Sequence, residues 1–146
     1  MYSIQSVSLD DAQRVIQAGI AKANEIGSPS NIAVADAGSN LLAFARMQKA
    51  WLGSIAIAIN KAFTSRAFDI ATKQLADFTQ PGEEFYGIQT SNHGRVMIFA
   101  GGLPLKSSGE VVGAVGVSGG SGQHTSKSPR PRPPRIEVKL LLRSRP

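Results

Sequence analysis

The sequence predicts an α+β domain, and three observations support this fold class. Apolar residues recur at spacings of three and four between Ala12 and Ile26, as on one face of a helix. Residues 31–38 and 41–47 have the composition of two antiparallel strands joined by a tight turn. Residues 111–118 form another apolar run, in which side chains alternate between two faces and one face is mostly small.

Length and charge set limits on the class of protein. The 146 residues suffice for one domain with a core, and no residue is a cysteine, which excludes disulfides and thiolate chemistry. The net charge of +6 comes from the tail, because residues 1–122 carry nine basic and nine acidic residues. No apolar run approaches the roughly 18 residues of a membrane span. We therefore expect a soluble, cytoplasmic protein with no membrane partner, and a near-neutral domain for which nucleic-acid binding is unlikely.

The first half of the chain predicts a helix, a hairpin and a second helix. Ser8 is placed to cap the first helix, which Gly27 ends. In the hairpin, Asp36 precedes Ala-Gly, where an aspartate bonds its own backbone more often than a ligand. The second helix, from Ser54 as its cap to about residue 68, is apolar around most of its circumference. Burial by the sheet on one side and a neighbouring subunit on the other explains this pattern, with Trp51 as an interface anchor.

The second half predicts a short helix at 73–78, one helical turn followed by a polar loop within 83–94, a strand at 96–99 and the strand at 111–118. Gly113 and Gly116 indicate the near approach of a helix, a second chain or a flat ligand, of which a helix is the commonest. Residues 123–146 form a basic, Pro/Arg-rich tail outside the domain of residues 1–122. Within the tail, residues 136–143 are a candidate strand or helix.

No common catalytic or metal-binding motif is present in the sequence. It lacks HExxH, P-loop, GxSxG and Rossmann patterns, and its only histidines are His93 and His124. A lone loop histidine is more often solvated than a metal ligand. Arg46, Lys61 and Thr64, taken one by one, are more often structural than chemical. The residues alone therefore predict an oligomerising α+β domain without an evident active site.

A resemblance adds a functional expectation. Residues 36–47, 53–54, 58–64, 101–105 and 112–120 contain motifs that look like those of the GlcG/HbpS family, which includes the C-terminal domain of PduO-type proteins. The resemblance spans residues 4–120. It implies a profilin- or PAS-like antiparallel sheet of about five strands with helices packed on it, and assembly as a dimer, tetramer or octamer. Some members bind haem, and others lie beside genes for glycolate, propanediol or glycerol breakdown.

The resemblance ends after Gly120, where the family continues into an acidic, Ala-rich helix. Here residues 121–129 lead into the Pro/Arg tail instead, which looks like the product of a shifted reading frame. His124 lies beyond the matching region and inherits no role.

Two functional hypotheses follow. The first is an oligomer that binds haem or a related tetrapyrrole between subunits. For it we select His93 as the metal ligand, Lys61 and Arg46 as partners of carboxylate or propionate groups, and Thr64 as a pocket residue. The second is an accessory protein or enzyme of glycerol, propanediol or glycolate catabolism that supports a cobalamin-dependent dehydratase. Whether any reaction is catalysed stays open. A third alternative, nucleic-acid binding through the tail, is the weakest of the three because the domain is near neutral.

Overall fold

The structure, a computed structural model, describes residues 1–119. Its helices are α1 (Leu9–Glu25), α2 (Gly53–Ala67) and α3 (Thr72–Asp77), and two short 3-10 turns span Ile88–Thr90 and Asn92–Gly94. Its strands are β1 (Ser30–Ala35), β2 (Leu41–Arg46), β3 (Gly102–Ser107) and β4 (Glu110–Gly119). The tail and the element expected at residues 136–143 lie outside the described residues.

The strands form one antiparallel sheet in the order β2-β1-β4-β3, which confirms the α+β class. The described part of the sheet has four strands rather than the expected five or so. The strand predicted at 96–99 is wrong, because a helix side chain takes its backbone bonds: Met97 N donates to Thr64 Oγ1. Met97 therefore does not offer this group to a neighbouring strand. The third strand begins only at Gly102.

The first helix and the β1–β2 turn follow their predicted local chemistry. Ser8 Oγ accepts a hydrogen bond from Asp11 N and caps α1, as its sequence predicts. Asp36 Oδ1 accepts hydrogen bonds from Gly38 N and Asn40 N, which confirms that this carboxylate serves its own turn.

The sheet carries a helix on each face. The α1 side holds the larger apolar cluster, in which Val15 and Ile16 pack with Ile32, Val34 and Leu105. The α2 side holds a cluster of small residues, Ala33 and Ala35 from β1 with Ala58 and Ala62 from α2. Small residues on both elements bring α2 unusually close to the strands.

Glycine makes that close approach feasible at β4. A Cβ at Gly116 would lie 2.0 Å from Ala58 O and 2.5 Å from Ala62 N, both backbone atoms of α2. The expected reason for this glycine, a helix packed on a small-residue face, is therefore confirmed. At Gly113, a Cβ would instead meet Ala35 O and Val7.

The second helix turns its polar residues inward. Ser54, Lys61, Thr64 and Ser65 are buried, whereas Ala56 is exposed. The prediction that Ser54 caps this helix is wrong, because Leu52 is the N-cap and Ser54 Oγ instead donates to Gly119 O, 3.1 Å away. Within residues 1–119, no helix combines the length and apolarity needed to cross a membrane.

Candidate functional site

Lys61 is a lysine buried between α2 and the sheet, with 4 % of its surface exposed. Its Nζ donates to Val117 O at 3.1 Å and lies 4.4 Å from the centroid of the Phe99 ring. Burial disfavours the charged form and lowers the pKa of Lys61 from 10.5 to about 8. The amine is therefore mostly, but not wholly, protonated at neutral pH.

This charge has no acidic partner within residues 1–119. The ion pairs in that range are Arg14–Asp11, Lys22–Glu25 and Arg66–Asp69, all formed by other side chains. Lysines are rarely so fully buried unless they are paired. A buried ammonium group held by one carbonyl oxygen and an aromatic ring is consequently a candidate for binding an anionic group.

Thr64, one turn further along α2, ties down the segment that covers Lys61. It is fully buried, and its Oγ1 donates to Asn60 O at 2.7 Å and accepts from Met97 N at 2.9 Å. Arg95 O also lies 3.2 Å from this hydroxyl. The same segment is held by Arg95, whose Nε donates to Asn60 Oδ1 and whose guanidinium carbon lies 3.9 Å from the Phe63 ring centroid.

His93 lies two residues before Arg95, on the surface. Asn92, His93 and Gly94 have φ angles of 50°, 56° and 73°, three consecutive left-handed residues of which two carry side chains. Left-handed backbone costs a residue with a Cβ about 1–2 kcal/mol. Such strain is found preferentially at functional sites, where surrounding contacts maintain it.

Arg46 lies two strands away from β4, the strand to which Lys61 bonds. It is exposed at the end of β2, opposite Asn31 of β1, which is in turn opposite Ser118 of β4. At about 4.8 Å per strand, its backbone lies roughly 10 Å from that of Ser118. The fold thus brings Lys61 and Thr64 together beside the base of the His93 loop, and leaves Arg46 apart.

The sequence did not predict three features around the Lys61 ammonium group. These are the Phe99 ring that covers it, the Val117 carbonyl oxygen that accepts its hydrogen bond, and Gly101, which lies against it. A Cβ at Gly101 would lie 2.7 Å from Lys61 Nζ, and its φ of +130° also favours glycine. The Gly101-Gly102 pair in the sequence could have indicated that Lys61 lies close to the backbone here. Alone, however, such a pair indicates a turn equally well. Within residues 1–119, no group of three or more His, Asp or Glu side chains is placed to bind a metal ion.

These observations define the class as an α+β domain with a glycine-lined helix–sheet seam and a buried lysine that has no acidic partner among residues 1–119. Residues 7–126 match the model of the family described as haem degrading protein HbpS-like. The chain belongs to this HbpS-like family, which confirms the resemblance. The match extends to residue 126 rather than ending at Gly120, and it therefore includes His124.

Two curated relatives have sequences similar to this chain. An uncharacterized 15.0 kDa protein in the dhaT-dhaS intergenic region of Citrobacter freundii is 43% identical over 118 residues, covering 81% of this chain and 83% of that protein. The corrinoid adenosyltransferase PduO of Salmonella typhimurium is 34% identical over 116 residues, covering 80% of this chain. The match spans only 34% of PduO, about a third of its length.

Solved structures show the same fold. The Klebsiella pneumoniae protein ORFY has a TM-score of 0.80 and 38% identity, with 83% of each chain covered. A PduOC:heme complex has a TM-score of 0.76 and 34% identity, with 80% of this chain and 84% of that chain covered.

Proposed function

We propose that this chain is an oligomeric small-ligand-binding protein whose ligand is haem or a related tetrapyrrole. The observation that carries the proposal is the buried Lys61 ammonium group, which has no acidic partner in residues 1–119 and lies beneath a half-exposed aromatic ring. A haem propionate supplies the missing negative charge, and the porphyrin supplies a flat apolar surface. The PduOC:heme complex, a relative with the same fold, supports this choice of ligand.

The chemistry of the donor set fits such a group. His93 offers an exposed imidazole, the side chain that most commonly binds metals, and would serve as the iron ligand. Lys61 and Arg46 would pair with propionate carboxylates. Thr64 would line the pocket and hold the loop that carries His93, through its contacts with Arg95 O and Met97 N. When bound, haem would supply an iron centre.

The outward face of α2 supports assembly with further copies. Its residues at helical spacing are apolar. Leu52 and Ala56 are exposed, Ile59 is half-buried against the cluster of small residues, and Phe63 is half-buried beneath the Arg95 guanidinium group. Trp51, 53 % exposed, lies at one end of this face, and Asn31 Nδ2 holds its carbonyl oxygen at 2.9 Å. We define the outward face of α2 as Leu52, Ala56, Ile59, Phe63 and Ala67.

We propose that this face contacts a second copy, and that the ligand cleft lies at the seam. Exposed apolar surface such as that of Trp51, Leu52 and Ala56 commonly marks a protein–protein contact. An assembly would also allow Arg46 of one copy to serve a cleft formed by another, since within one chain it is distant from Lys61. The resemblance implies a dimer, tetramer or octamer.

Titration of the purified protein with hemin tests this proposal. The wild-type protein should give a saturable shift of the Soret band, and His93→Ala should lose most of that shift because it removes the iron ligand. His124→Ala is the matched control, since it deletes the chain's other histidine, and should titrate like wild type. Absence of a shift in the wild type, or equal shifts in His93→Ala and wild type, would contradict the proposal.

A second candidate function is supported by the relatives. Similarity to PduO and to a protein from the dhaT-dhaS intergenic region favours an accessory role in propanediol or glycerol catabolism, in support of a cobalamin-dependent dehydratase. Affinity purification from cells that express such a dehydratase distinguishes the two. Stoichiometric recovery of dehydratase subunits supports the accessory role, and their absence counts against it.

A further inference from the structure

We propose that Phe99 is a gate over a carboxylate subsite whose receptor is the ammonium group of Lys61. This inference rests on the ligand-binding function proposed above and deepens it, because it names the functional group that the ligand must carry and the residue that the ligand must displace. The subsite is formed by Lys61 from α2, Val117 O from β4 and the segment 99–101.

The ammonium group of Lys61 has unfilled hydrogen-bonding capacity. An ammonium group has three N–H donors. Val117 O accepts one at 3.1 Å, and the Phe99 ring lies at 4.4 Å on another side. A buried cation is expensive unless it is paired, and residues 1–119 give it no carboxylate partner. The structure therefore holds a receptor for a negative charge that this part of the chain does not supply.

The Phe99 ring and an anion compete for the same side of the Lys61 ammonium group. The face of an aromatic ring attracts a cation through its quadrupole, which makes Phe99 a weak substitute for an anion. A charge-assisted hydrogen bond from an ammonium group to a carboxylate is stronger. A carboxylate that reaches Nζ can consequently displace the ring, whereas an uncharged ligand of the same shape cannot.

The Phe99 ring can move away from Lys61 without unfolding the segment 97–101. Backbone bonds hold the segment on both sides of Phe99: Met97 N donates to Thr64 Oγ1, and Val117 N donates to Gly101 O. Phe99 lies between these anchors, is 49 % exposed and belongs to no strand or helix. Rotation of its side chain therefore uncovers Nζ while the anchors stay in place.

Gly101 forms the floor of the subsite. Gly101 lies against the amine so closely that a Cβ there would be 2.7 Å from Nζ and 2.4 Å from Val117 O. No side chain can enter from that direction. The side that Phe99 covers is thus the entrance that a carboxylate would use.

Pulse labelling of lysines with acetic anhydride, read by peptide mass spectrometry, tests the gate. The exposed Lys73 on α3 is the internal standard within each sample. Phe99→Ala should raise the labelling of Lys61 relative to Lys73 by about tenfold or more, because it uncovers an otherwise buried amine. Phe99→Tyr keeps the ring and should label like wild type. Equal labelling of Lys61 in Phe99→Ala and wild type would overturn the gate.

The carboxylate is tested with sodium propionate and, separately, with hemin. In Phe99→Ala, propionate should reduce labelling of Lys61 but not of Lys73, and sodium chloride at the same ionic strength should not. Hemin should bind Phe99→Ala about threefold more tightly than wild type, since the cation–π contact no longer competes. Equal effects of chloride and propionate, or no effect of propionate, would overturn the subsite.

The outcomes separate this inference from the haem proposal. Protection of Lys61 by propionate without any Soret shift on hemin addition would retain the carboxylate subsite and remove haem as the ligand. A Soret shift that depends on His93, with Lys61 labelling unaffected by Phe99→Ala and by propionate, would retain haem binding and remove the gate.

Discussion

Lys61 illustrates how one side chain can oppose the stability of the fold that positions it. Its ammonium group is moved from water into the seam between α2 and the sheet, where the gain is one hydrogen bond to Val117 O and one contact with Phe99. Desolvation outweighs these contacts, since the pKa of Lys61 falls from 10.5 to about 8. A residue retained at such a cost is better explained by ligand binding than by packing.

The pH dependence of stability should report this cost. In the unfolded chain Lys61 stays protonated up to about pH 10.5, whereas in the folded chain it loses its proton near pH 8. Between these values the unfolded state binds more protons, so the free energy of unfolding should rise, by about 2 kcal/mol from pH 7 to pH 9.5. Urea unfolding at the two pH values measures it.

Lys61→Met is the control for this measurement, because it removes the titrating group and keeps an unbranched apolar stem. Its free energy of unfolding should change little over the same pH interval. A wild-type protein whose stability falls or stays constant between pH 7 and pH 9.5 would show that the amine is not buried as described.

Local chemistry at the scale of single residues was predictable where it depended on near neighbours. The Ser8 cap and the Asp36 turn follow from side chains that bond to backbone within four residues. Lys61 could be selected by its chemistry, but not its burial, because Val117 and Phe99 are 56 and 38 positions away in sequence. Contacts at such distances depend on topology, which periodicity does not reveal.

At the scale of elements, α2 is packed with its polar residues toward the sheet. The sequence correctly predicts a helix that ends near residue 68, but not which way its polar line faces. The short distance between the α2 backbone and the strands decides the orientation. At Gly116 and Gly102 the helix lies so close that the side chains facing the sheet are small or bond to strand carbonyls. Ser54 and Lys61 make such bonds. Of the apolar residues of α2, Ala58 and Ala62 also face the sheet, whereas Ala56 and Ala67 are exposed.

Gly116→Ala should separate α2 from the sheet. Its new Cβ would lie 2.0 Å from Ala58 O, a backbone atom that cannot rotate away, so we expect a loss of more than about 3 kcal/mol in the free energy of unfolding. Gly53→Ala is the matched control, because nothing lies within 4 Å of its added methyl group and alanine favours helix. Equal stability of the two variants in urea would contradict the described contact.

The missed segment 96–99 shows the limit of strand prediction from composition. Its apolar, β-branched residues suit a strand, yet the hydroxyl of Thr64 captures the Met97 amide and the segment instead lies along α2. A side chain on a distant helix decided the outcome, and β propensity depends strongly on such surroundings. The predicted strand at 111–118, which has neighbours on both sides, forms within β4 as expected.

At the scale of the whole molecule, the proposed assembly through the outward face of α2 can be tested by sedimentation. Ala56→Glu places a charge at the exposed centre of that face, and burying an unpaired charge at a contact between copies is unfavourable. Wild type should sediment as an oligomer and Ala56→Glu as a smaller species. Gln17→Glu, an exposed change on α1 across the sheet, should leave the sedimentation coefficient unchanged. A monomeric wild type would contradict assembly through this face.

The open surroundings of Gly53 make this position suitable for attaching a spectroscopic probe. A side chain added there meets no atom within 4 Å, and Gly53 is the first residue of α2, the helix that contacts every strand of the sheet. The chain contains no native cysteine. Gly53→Cys therefore creates a single addressable thiol, to which a spin label or fluorophore can be attached beside the chain's one tryptophan.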